Sequence, residues 1–244
     1  MKACILIALM FSISIISNHT NAQQMASDNK SLNEKEKSII TISSLTAKGD
    51  LDKLKTGLQE GLEAGLTVNE IKEVLVHLYA YCGFPRSIRG LQTFMEVLNE
   101  RKAKGITEKI GKEASSVQQN TSKYQRGKKV LGELTKMPQP DKLSGYSAFA
   151  PVIDTFLKEH LFADIFERDV LTYAQRELVT ISVIATIGNA DPMLQSHLGI
   201  SLNVGITPDQ LKEFIKIIKT TAGKKKSKSA LEVLEQVLKN RQLQ

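Results

Sequence analysis

A chain of 244 residues, 41% hydrophobic and 24% charged, has a globular composition and room for one large or two small helical cores. Its formal net charge of +7 is spread widely, and the one dense basic run, Lys224-Lys225-Lys226-Ser227-Lys228, has no aromatic platform or recognition motif beside it, so no nucleic-acid partner is expected. The two cysteines, Cys4 and Cys82, form no Cys-x-x-Cys pair, which excludes a self-contained dithiol cycle; the four histidines include no pair at ligand spacing, so neither a metal nor another cofactor is expected.

Residues 1–22 read as a secretory signal. Lys2 opens a short basic start, the run from Ala3 to Ile16 is apolar apart from Ser12 and Ser14, and small residues precede a cut after Ala22. The run is shorter than the roughly 20 residues that span a bilayer, and nothing later is apolar enough to do so. The expected mature protein is therefore exported, periplasmic or secreted, with no membrane span and with Cys82 as its only thiol.

Residues 32–100 form the first of two copies of a helical unit. Leu51, Leu54, Leu58 and Leu62 recur at three and four, the stripe of an amphipathic helix. Gly65 sits where a left-handed stop is wanted, and Thr67 with Glu70 forms a capping box for the next helix. Val74, Leu75, Leu78, Leu91, Phe94 and Leu98 extend the apolar faces. Residues 101–151 read as a linker and connecting helix: Arg101 to Lys123 is polar, and Thr135 to Pro151 is loop-like, with Pro138, Pro140, Gly145 and Pro151. An apolar helix through Ile153, Phe156, Leu157 and Leu161 then leads into the second copy, residues 152–240.

The duplication is visible as a register. Gly65-Leu66-Thr67 returns 140 positions on as Gly205-Ile206-Thr207, Leu54, Leu58 and Leu62 as Leu194, Leu198 and Leu202, and Gly83 as Gly223. Upstream the shift is 139, where Thr41-Ile42-Ser43 returns as Thr180-Ile181-Ser182; one extra residue near Asn189 to Pro192 absorbs the difference. Thr207 is the second N-cap, with Pro208 at the first helical position. No stretch alternates with period two, so the expected fold class is all-α, two tandem diverged helical-bundle repeats.

Several segments then resemble one family. Phe162-Ala163-Asp164-Ile165-Phe166-Glu167-Arg168, with Leu171 and Arg176-Glu177-Leu178, resembles the opening segment of the carboxymuconolactone decarboxylases. The stretch from His197 through Ser201 to Gly205 is similar to that family's His-x3-small-x3-Gly helix, and Tyr124, Gly127, Val130 and Leu131 resemble the start of its chains. In the first copy, Tyr79-Ala80-Tyr81-Cys82-Gly83-Phe84-Pro85 resembles its aromatic-Gly-apolar-Pro turn. The match covers nearly all of residues 32–240. The wider, alkylhydroperoxidase-D-like family carries Cys-x2-Cys-x3-His and an upstream Glu. Here His197 falls on the His and Glu177 close to the Glu, whereas the cysteines would fall at Ala190 and Met193. The first copy has Gly57 and Ser38 at the His and Glu positions, and the second replaces the turn with Gly223-Lys224-Lys225. The histidine thus comes from one copy and the turn from the other. The resemblance also implies association through helix faces, for a two-unit chain a homo-trimer of six units.

Met193, His197 and Ser201 are spaced by four and share a helix face, where a neutral imidazole can take or give a proton near neutral pH. The resemblance implies that role for His197, beside a lactone carboxylate; a packed histidine without a task is the alternative. Glu177 can hold His197 or be an ordinary first-turn acid, and Arg176 and Arg168 can grip a substrate carboxylate by a bidentate fork or be surface arginines. Cys82 can be oxidised if exposed, or be a small buried hydrophobe. Three functions stay open: an acid/base enzyme on a small carboxylated or lactone-type substrate, a peroxiredoxin-type antioxidant using Cys82 with an external thiol, and a non-catalytic binding or scaffold member.

Overall fold

The structure, a computed structural model, describes residues 31–117 and 120–242. The expected signal at residues 1–22 lies outside them. Each copy begins with a helix buried on nearly all sides. The first, α1 (Glu34–Lys48), starts at a capping box between Asn33 and Glu36 and stops at Gly49, whose φ of 77° is the left-handed conformation a glycine adopts without strain. Its counterpart α8 (Tyr173–Ile187) starts at a capping box between Thr172 and Gln175. Both ends of α8 lie 139 positions beyond those of α1, so the register read from sequence is the register of the helices.

Three further helices follow in each copy. In the first they are α2 (Leu51–Glu63), α3 (Val68–His77) and α4 (Tyr79–Ala103). In the second they are α9 (Asp191–Asn203), α10 (Pro208–Thr221) and α11 (Lys224–Gln242). Leu54, Leu58 and Leu62 are buried on α2, as the stripe predicts. Thr67 and Thr207 cap α3 and α10, with Glu70 and Gln210 closing the boxes. The extra residue of the second copy falls between α8 and α9, where Asn189 takes a positive φ. Even a side-chain bond is duplicated: Ser87 donates to the Leu75 carbonyl (2.7 Å) and Ser227 to the Ile215 carbonyl (3.2 Å).

The copies interlock. Helices α1 and α8 pack against each other at the centre, and each also touches the third helix of the other copy. Related ion pairs mark the exchange: Lys37 to Glu213 at 3.4 Å, and Arg176 to Glu73 at 2.7 Å. A helix buried all round has no polar face to spend on solvent, and apart from Arg176 and Glu177 the buried polarity of the central pair is short hydroxyls. Ser43, Thr46, Ser182 and Thr186 each donate to a carbonyl one turn back, and Ser44 joins Thr186 (2.8 Å) and Thr221 (2.7 Å) across the interface. The buried hydroxyls are thereby satisfied while the helices stay close.

The segment between the copies is part strap and part helix. Residues 106–117, read as polar linker or helix, are an extended strap without helix. It is pinned where Val68 and Asn69 of α3 donate their backbone N–H to the carbonyls of Lys109 and Ile110. The strap thus accepts first-turn donors that α3 cannot satisfy itself. The connecting helix is α5 (Lys123–Thr135). The expected loop of Thr135 to Pro151 contains α6 (Gly145–Phe149), and the expected apolar helix is α7 (Pro151–Thr155) continuing into a π-helix, Phe156–Ile165. Helix α5 lies on that π-helix around Val130, Leu134, Leu161, Phe162 and Phe166.

Gly127 sets this contact. A Cβ there would lie 1.7 Å from the Lys158 carbonyl oxygen, a backbone atom that cannot swing aside. Gly127→Ala is therefore expected to push α5 off the π-helix and destabilise the protein by roughly 1–3 kcal/mol or more. A thermal melt matching wild type would refute the close approach. Among the described residues no helix is long and apolar enough to cross a membrane.

Candidate active site

The turn of the first copy and the second helix of the second copy meet. Within α4, Gly83 breaks the helix with φ 81° and ψ 161°, and Pro85 restarts it. The break sets Tyr81 against α9, its ring edge-on to His197 with centroids 5.8 Å apart. The two halves of the family pattern, separated between copies in sequence, are therefore joined in space.

His197 is anchored from behind. Its Nδ1 lies 2.9 Å from Glu177 Oε2, on a carboxylate with no solvent exposure. An ionised Glu177 accepts from Nδ1, which leaves Nε2 on the other side of the ring, and His197 lines the cavity. Glu177 Oε1 and Tyr81 Oη are buried without a hydrogen-bond partner among the described residues. Burial, with the Glu177 charge adding to it, pushes the Tyr81 phenol above its ordinary range and keeps it protonated.

The cavity has a volume of about 710 Å³. Its lining includes Ile184 and Ile187 of α8, Met193, His197 and Ile200 of α9, Leu157, Leu161 and Phe162 of the π-helix, and Leu131 of α5. Lys142 and Tyr146 stand on the segment between α5 and α7. Asp154 and Lys158 also reach the cavity. The Lys158 ammonium donates to both Asp154 oxygens (2.9 and 2.8 Å) and to Tyr124 Oη (2.9 Å), and Tyr124 donates to Asp154 (2.7 Å). Burial works against both charges, but these bonds outweigh it, holding the Asp154 carboxyl below its ordinary range and raising the lysine.

The other residues singled out by sequence are placed as follows. Met193 lines the cavity beside His197. Ser201 is buried, and its hydroxyl donates to the His197 carbonyl at 2.8 Å rather than reaching the cavity. The structure does not bring Arg176 or Arg168 to the cavity. Both are held by Glu73 of the first copy: Arg168 by a fork of 2.9–3.0 Å, Arg176 at 2.7 Å. Arg176 is fully buried and also donates to the Arg168 carbonyl and to His77 Nδ1 (3.1 Å). His77 passes that bond on to Thr180 (3.0 Å). Burial first, then the Arg176 charge, keep it neutral, well below the ordinary imidazole range. Cys82 is half-buried, outside the cavity lining, and donates to the Leu78 carbonyl at 3.3 Å. Burial pushes its thiol up to about 11, with Arg86 opposing, so little thiolate exists at neutral pH. Sequence reasoning did not single out Lys158, Asp154 or Tyr81 as site residues. An i,i+4 acid–lysine pair inside an otherwise apolar run was the signal for the first two.

Fold and site together define an all-α tandem-repeat protein with one histidine–carboxylate site built across its two copies. Residues 18–94 and 151–236 both match the carboxymuconolactone decarboxylase family, and the chain belongs to that family. It is 29% identical over 119 residues to a 4-carboxymuconolactone decarboxylase of Acinetobacter baylyi, a match covering 48% of this chain and 88% of that protein. It is 27% identical over 81 residues to an uncharacterized protein of Methanocaldococcus jannaschii, covering 33% of this chain and 76% of that one.

Proposed function

We propose that this is an exported acid/base enzyme acting on a carboxylated or lactone-type molecule, with His197 moving the proton and Glu177 orienting the ring. The observation that carries the reading is the 2.9 Å bond from the Nδ1 of His197, a residue of the cavity lining, to a fully buried carboxylate. In that arrangement Nε2 abstracts a proton from bound substrate, Glu177 stabilises the imidazolium so formed, and the proton returns to substrate or product in the second half of the reaction. The decarboxylase named among the relatives supports lactone-type chemistry for this site. The second copy's histidine–glutamate pair acts alone, because Gly57 and Ser38 stand at the corresponding places of the first copy.

Turnover against a panel of small carboxylic acids and lactones tests this, with His197→Ala and Cys82→Ser compared in parallel. The reading expects loss only with His197→Ala. Loss of peroxide consumption with Cys82→Ser, and no effect of His197→Ala, would replace it with the peroxidase reading. Export and trimeric assembly are part of the proposal. Both are read on the protein recovered outside the cytoplasm: a mass starting at Gln23 and a three-chain particle by light scattering are expected, and an uncleaved monomer would contradict them.

A further inference from the structure

From the cavity walls we infer that the substrate is amphiphilic: a lactone or carboxyl head at His197 carrying an apolar tail of several carbons. The inference rests on the reading of His197 as the reacting end and adds the chemistry of everything beyond it. About 710 Å³ is space for roughly twenty water-sized groups at about 30 Å³ each, far more than one lactone ring fills. Beyond the imidazole most of the exposed lining is hydrocarbon, with Leu157, Leu161, Phe162, Ile184 and Ile200 set among polar residues such as Gln139 and Ser147.

Of the two lysines in the lining, Lys142 is exposed to solvent, and the buried Lys158 offers nothing to a second ligand charge. All three hydrogens of the Lys158 ammonium are used, two on Asp154 and one on Tyr124, and the Asp154 carboxylate neutralises it. A compact diacid whose second carboxylate fell short of Lys142 would bury it against hydrocarbon and an already satisfied ion pair, which is costly. An alkyl or aryl tail there meets the hydrocarbon of Leu157, Leu161, Phe162 and Ile184, which gains by losing water. The rim agrees with this: Tyr146, Ile187 and Met193 line the cavity and yet are 62%, 41% and 52% exposed, an apolar lip over which a tail can slide.

The test uses γ-alkyl-γ-butyrolactones from methyl to octyl, titrated calorimetrically into the full-length protein. The dissociation constant is expected to fall about fourfold per added methylene until the cavity is full. Leu157→Glu, which charges the half-buried tail wall, is expected to flatten the series. A flat wild-type series, or no binding at any length, overturns the inference whether or not that variant folds. The two readings fail separately. A flat series with His197-dependent turnover removes the tail and leaves the acid/base chemistry. A steep series with turnover undiminished in His197→Ala does the reverse.

Discussion

Glu177→Gln is expected to lower turnover by about two to four orders of magnitude on any substrate the wild type consumes, although the side chain keeps its size and shape. The reason is the direction of one hydrogen bond. The carboxylate, accepting from His197 Nδ1 at 2.9 Å, fixes the tautomer in which the lone pair of the neutral ring, the form that acts as base in the proposed reaction, lies on Nε2. A glutamine amide can instead donate to Nδ1, which moves the ring proton to Nε2 and removes the base from the cavity. His197→Ala is expected to fall as far by deleting the ring. Kinetics of both variants, beside a melt showing that Glu177→Gln stays folded, check this. Glu177→Gln turning over within about threefold of wild type would show that the carboxylate does not set the ring.

The second large effect lies away from the cavity. Glu73, itself buried, is the carboxylate shared by Arg168 and the fully buried Arg176. Glu73→Ala leaves the Arg176 guanidinium in the interior with only the Arg168 carbonyl and His77 to face it. Breaking a buried pair from one side costs about 3–5 kcal/mol, on the order of 10 °C in melting temperature for a chain of this size. Because the pair joins α3 of one copy to α8 of the other, the loss should loosen the interlock and with it the fit of Tyr81 against His197. A melting temperature within about 2 °C of wild type would mean that the arginine finds another partner or water.

The contrast between Glu73 and Glu177 shows what the sequence could tell. Helices with one clear apolar stripe, such as α2, were legible, and so was the duplication, because both copies kept their caps and stops at fixed spacing. His197 and Glu177 were legible as candidates, being twenty positions apart on consecutive helices that had to pack. Arg168 and Arg176 were open to misreading, since the carboxylate that claims them lies about a hundred positions away in the other copy. A fork aimed at substrate and a fork aimed at Glu73 look alike in one dimension. The turn around Gly83 was recognisable, but its meeting with His197 depends on how the copies interlock. The strap and the π-helix have no periodic signature: the first is held by donors of α3, and the second lies against α5 at Gly127.

The central claim is that Glu177 holds the His197 ring with its basic nitrogen facing the cavity. Nitrogen-15 NMR of the imidazole, in wild type and in Glu177→Gln, reads this directly. The account predicts a neutral ring protonated at Nδ1 in wild type, its Nε2 resonance moving when a lactone binds, and a proton shifted to Nε2 in the variant. A wild-type ring protonated at Nε2, or an Nε2 signal indifferent to every ligand that occupies the cavity, would contradict it.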